Sequence, residues 1–115
     1  MSPRQNKSAI RQLRRKVPVF AALGDDTRLS LLTKLSGVPR LSIAGLTRGS
    51  RVTRQAITKH LRVLQKAGLV RGVRRGRERL FELKPQPVAD ARRALDQISR
   101  KWDEALARLK VIVEE

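Results

Sequence analysis

Residues 53–83, TRQAITKHLRVLQKAGLVRGVRRGRERLFEL, hold two different hydrophobic periods separated by one glycine. Up to Lys66 the apolar residues Ile57, Leu61 and Leu64 recur at the spacing of one helix face, and Thr53 is placed to cap the first turn. Gly68 stands where such a helix would stop. Beyond it, two short segments with alternating apolar residues flank Gly76-Arg77, the pattern of a β-hairpin. The stretch therefore predicts a helix over about 54–67 followed by a hairpin whose tip is almost wholly arginine.

Upstream, punctuation divides the chain into further short helices. Pro18 suits the first turn of a helix over Val17 to Leu23, and Gly24 ends it. Asp25 is a good N-cap for the next, in which Arg28, Leu31, Leu32 and Leu35 share one face before Gly37 and Pro39 stop it. Ser42 caps a short third helix carrying Ile43 and Leu46, broken at Gly49-Ser50. Residues 1–16 read as a basic N-terminal arm, partly helical and poorly ordered away from a partner. Residues 17–115 read as one domain.

Downstream, Pro85 and Pro87 open a last helix over about 87–113. Val88, Ala91, Leu95, Ile98, Trp102, Ala105, Leu109 and Ile112 alternate spacings of three and four, a narrow seam of the coiled-coil kind. The seam runs for roughly 36 Å at about 1.5 Å per residue, more than one small core covers. A second copy of the chain is the expected partner.

Charge supplies the functional direction. Lys and Arg number 27 against 10 Asp and Glu, a formal +17. Residues 1–77 hold 19 of those cations against Asp25 and Asp26, while residues 78–115 are neutral. A field this one-sided attracts polyanions: nucleic acid first, then an anionic membrane or an acidic protein. From Arg48 to Arg77 there are ten basic residues and no acidic one.

Helix, short helix, turn, helix and basic hairpin is the order of a winged helix-turn-helix, a mainly α fold with a small β wing. The major groove of B-DNA admits one α-helix with hydrogen-bonding side chains on its outer face. The outward residues Thr53, Arg54, Gln55, Thr58, Lys59 and Arg62 fit that task, with Arg51 in the preceding turn. Arg74, Arg75, Arg77 and Arg79 of the hairpin suit the backbone or a minor groove. In the arm, Arg4, Lys7, Arg11, Arg14, Arg15 and Lys16 reach for flanking phosphates or form a solubilising tail.

FAALGDDTRLSLLTKL with the stretch from Val52 to Leu83 resembles the ArsR family of winged-helix repressors, over about residues 17–112. Ala22-Leu23-Gly24-Asp25-Asp26-Thr27-Arg28 and Thr58-Lys59-His60-Leu61 through Ala67-Gly68-Leu69-Val70 carry the likeness most specifically. The resemblance implies a homodimer joined through the first and last helices, Val17 and Phe20 of the first included, on a palindromic operator, with Arg54, Gln55, Thr58 and Lys59 at base-reading positions. The chain departs from the family pattern at Gly45, which removes a capping box. It departs again at Arg51, where a turn glycine is usual and Gly49 comes two residues earlier.

Many members of that family sense metals, but this chain has no cysteine and its last helix has no histidine. Its one histidine, His60, reads as a hydrogen-bonding residue on or beside the DNA surface, because tetrahedral zinc wants three or four ligands. No cofactor or metal is expected; an unknown small-molecule or protein effector is compatible with the reading. No nucleophile–base set or phosphate loop can be assembled, so the chain reads as a non-enzyme. No apolar run approaches the roughly 20 residues of a membrane span, and the N-terminus lacks a secretory pattern. A cytoplasmic, nucleoid-associated bacterial regulator is expected, most simply a homodimeric repressor of its own gene. The rival readings are an architectural protein that coats DNA without reading sequence and an RNA- or ribosome-associated factor.

Overall fold

The computed structural model describes residues 3–114, the side chains of 3–7 and 9 excepted. Six helices and three strands follow in the order α1 Pro3–Arg15, α2 Val17–Leu23, α3 Asp26–Ser36, β1 Leu41–Ser42, α4 Ile43–Thr47, α5 Arg54–Lys66, β2 Val70–Arg75, β3 Glu78–Leu83 and α6 Gln86–Glu114. The strands form one antiparallel sheet in the order β1-β3-β2. This is a winged helix-turn-helix, mainly α with a small β wing.

The expected caps set the helix starts. Asp25 Oδ2 accepts the Arg28 N–H at 2.9 Å, Ser42 Oγ accepts that of Gly45 at 3.1 Å, and Thr53 Oγ1 accepts that of Ala56 at 3.2 Å. At the far end of α5, Gly68 takes φ +77°. Its N–H donates to the Gln65 carbonyl and that of Leu69 to the Leu64 carbonyl, both at 2.9 Å, a Schellman closure. Gly76, at φ +61°, occupies the first central position of the two-residue turn, the requirement of a type II′ hairpin.

Leu31, Leu35, Leu46, Ile57, Leu61, Leu64 and Leu69 are fully buried, each contributing about 1.5–3 kcal/mol relative to exposure. Val19 and Ala22 of α2, Phe81 of β3 and Ala91 of α6 close the same core. β1 is a strand that the sequence reading lacked. Leu41 pairs with Phe81 and Ser42 with Leu80, which fastens the start of α4 to the wing.

Residues 3–15, read as part of a basic arm with some helix, form helix α1, which packs on α6, and Lys16 Nζ lies 3.5 Å from Asp90 Oδ2. The side chains of Arg4 and Lys7 lie outside the described residues. Along α6, Ala91 and Ala94 are buried in the chain's own core, and beyond Leu95 the apolar residues are exposed, Ile98 alone being half-buried. The radius of gyration is 18.9 Å, against about 13 Å for a compact domain of this size, because α6 runs past its own core. Among the described residues no helix is long and apolar enough to cross a membrane.

Candidate nucleic-acid interface

Ile57, Leu61 and Leu64 root α5 in the core, so the residues about half a turn away face outward. Gln55, Thr58, Lys59 and Arg62, at the i, i+3, i+4, i+7 positions of one face, line a single shallow concavity. The Thr58 hydroxyl donates to the Arg54 carbonyl at 2.9 Å, which leaves its oxygen able to accept. Arg51 and Thr53 are exposed at the helix entry. In the turn before them Gly49 supplies a φ of +75°, and Ser50 Oγ accepts the Val52 N–H at 3.1 Å.

Arg54 stands apart from that concavity. It borders a second one, shared with Ser42, Ile43 and Ala44 and with Arg77, Glu78 and Arg79 of the wing. Arg74 and Arg75 are exposed on β2, opposite Arg79 and Glu78 respectively. The Arg79 guanidinium lies over the Phe81 ring, 5.3 Å from its centroid.

Not every cation here is free. Glu82 accepts from Arg40 Nε at 3.0 Å and from Arg71. These two bonds, Arg40's first, hold its carboxyl below the usual range. Lys34 Nζ donates to the carbonyls of Leu46 and Arg48 at 3.2 and 3.3 Å, closing the end of α4.

His60 does not join the outward face. Its Nδ1 lies 3.3 Å from Arg28 Nη1 and 3.8 Å from Asp25 Oδ2, on the side of α5 turned toward α2 and α3. Arg28 also donates from Nε to the Ala22 carbonyl at 2.6 Å and from Nη2 to that of Ala21 at 3.2 Å. The Arg28 backbone N–H is the main cause of the low pKa of Asp25. Arg28 is a structural tether that the sequence reading missed. Its signal was an arginine standing in the apolar series with Leu31, Leu32 and Leu35.

Of the residues assigned to an interface between copies, Leu95, Trp102, Ala105, Leu109 and Ile112 are exposed on α6 and Val17 is exposed on α2. Phe20 and Ile98 are half-buried, and Ala91 is taken up by the core. Trp102 is 66% exposed.

Residues 23–73 match a family model described as a helix-turn-helix domain. An ArsR-like transcriptional regulator from Rhodococcus sp. RHA1 superposes with a TM-score of 0.76 at 39% identity, covering 86% of this chain and 92% of that one. The HTH-type transcriptional regulator YuzN of Bacillus subtilis is 40% identical over 79 residues, 64% of this chain and 86% of the relative. The HTH-type transcriptional regulator Rv2034 of Mycobacterium tuberculosis is 37% identical over 87 residues, 76% of this chain and 78% of the relative. With this fold, this basic outward face and these relatives, the chain belongs to the ArsR family of winged helix-turn-helix, DNA-binding transcriptional regulators.

Proposed function

We propose that two copies of this chain pair through α6 and repress transcription from a palindromic operator, most simply their own. The observation that carries the reading is the face of α5, where Gln55, Thr58, Lys59 and Arg62 share one concavity. Arginine, lysine and glutamine read guanine and adenine edges, and threonine contacts the thymine methyl or a phosphate. Support for pairing comes from α6, whose Leu95, Trp102, Leu109 and Ile112 are unpartnered along a helix of 29 residues. A two-fold dimer would place two α5 helices about 34–36 Å apart in successive major grooves. The protein then acts in the cytoplasm, at the nucleoid, with occupancy of the promoter as its output.

The aromatic residues argue against the RNA reading. Single-stranded RNA recognition leans on exposed rings, but Phe81 is buried, Phe20 is half-buried and Trp102 lies on α6. The deciding experiment is binding to a duplex from just upstream of the gene and to a scrambled duplex, titrated over salt. A preference of about 10³ or more, with two subunits per site, is expected. Equal affinity for upstream, scrambled and genome-selected duplexes would leave an architectural protein instead.

A further inference from the structure

Three arginines from different places in the sequence line one notch: Arg54 at the start of α5, Arg77 at the wing turn and Arg79 on β3. Ser42, Ile43 and Ala44 line it as well, and its volume is about 260 Å³. Among the described residues none of the three arginines is ion-paired. Glu78 is the one carboxylate among the lining residues, so Arg54 and Arg77 keep the notch one positive charge in excess.

The Arg79 guanidinium is engaged elsewhere: it rests on the Phe81 ring and crosses the bare backbone of Gly72, beside the Gln65 amide, none of which lines the notch. Arg54 and Arg77 are the two guanidinium donors left for a ligand there. Ser42 Oγ already accepts the Gly45 N–H, and its own O–H remains to donate. Charge-assisted donors on two sides of one notch suit a tetrahedral oxyanion. The neighbouring concavity on α5 differs, combining an amide and a hydroxyl with Lys59 and Arg62. The two concavities sort the basic residues into different tasks.

We propose that the notch seats one backbone phosphate of the bound duplex in each subunit, so that Arg54 clamps the backbone and does not read bases. Such a contact sets position without carrying sequence information. The inference rests on the proposed seating of α5 in the major groove, and it moves Arg54 out of the base-reading set that family resemblance implies.

The test compares the full-length protein with Arg54→Gln, Arg77→Gln, the double variant and Arg100→Gln on a random-sequence duplex. Arg100 is exposed on α6, away from the apolar seam, and serves as the charge-matched control. Each neutralised phosphate contributes about 0.9 to the log–log salt slope. Two arginines sharing one phosphate predict a loss of about 0.9 per subunit in the double variant, smaller losses in each single variant and none in R100Q. A loss of about 1.8 per subunit in the double variant would mean two separate phosphates and would overturn the shared seat. Selection from a randomised duplex library gives the second arm. R54Q should keep the wild-type base preference, whereas Gln55→Ala should alter it; a base position relaxed in R54Q overturns the clamp. If the wild type selects no sequence, the repressor reading fails, while the salt slopes still decide the notch.

Discussion

Arg28 Nη1 lies 3.3 Å from His60 Nδ1, while Nε of the same guanidinium holds the Ala22 carbonyl at 2.6 Å. One side chain of α3 thus joins the C-terminal end of α2 to α5, the helix proposed to face DNA. Its planar, forked donors reach two directions at once, which a lysine ammonium cannot do from one position.

Replacing Arg28 by Ala should therefore destabilise the domain by about 1.5–3 kcal/mol, the range for hydrogen bonds to charged groups. Arg28→Lys should recover little of it. Urea unfolding checks both variants. DNA affinity should fall further than the lost folded fraction explains, because α5 loses a lateral support.

Acid should weaken the fold through three carboxylates. Asp25, Glu82 and Asp90 all titrate below their usual range, held respectively by the Arg28 backbone N–H, by Arg40 and by the Gln86 amide before other causes. A depressed folded-state pKa contributes stability above the unfolded value, about 3.9 for Asp and 4.3 for Glu, and that contribution disappears as pH falls through the folded value. Melting temperature should hold between about pH 5 and 8 as far as these groups decide it, then drop below about pH 4. Glu82→Gln should show a shallower acid decline in thermal melts; an unchanged decline would mean that the Arg40 and Arg71 bonds add nothing.

Trp102 is the only tryptophan and is largely exposed. In a dimer it should act as an anchor, and Trp102→Ala should weaken association by about 2 kcal/mol, roughly 30-fold, with the monomer fold intact. Sedimentation equilibrium measures this directly. Wild-type fluorescence should shift to the blue as concentration rises. A wild type monomeric at every concentration would contradict pairing through α6.

Gly68→Ala tests the end of α5. The residue sits at φ +77°, and an added Cβ would meet only the Pro87 ring at 3.7 Å, an ordinary contact. The cost should be that of a left-handed backbone alone, about 1–2 kcal/mol, read as a lower denaturation midpoint with unchanged circular dichroism.

Local chemistry was legible in the sequence wherever one residue type performs one job. Asp25, Ser42 and Thr53 cap the helices they were expected to cap, and Gly76 turns the wing. β1 was not legible: two residues show no alternation, and Ser42 serves both strand and cap. The docking of α1 was hidden because its basic surface outweighs Ile10 and Leu13 in any reading of pattern. His60 was assigned by its neighbours in sequence, although it lies three residues from Ile57 and four from Leu64, on the inner shoulder of α5. Ala91 obeys the seam's spacing but is covered by its own core, since the first turns of α6 pack on α1 and α2. Periodicity finds a face; which neighbour covers it is a tertiary matter.

Glu82 draws two arginines at the base of the wing into a closed set, so the unspent charge of the hairpin lies beyond it, at Arg74, Arg75, Arg77 and Arg79. Residues 78–115, most of them in α6, are electrically neutral as a group. Positive charge is thus gathered in two places, on α5 with the wing and on α1 where it packs against α6. In the field of a polyanion both are drawn in together, so the charge raises the rate of encounter more than it fixes the angle of approach.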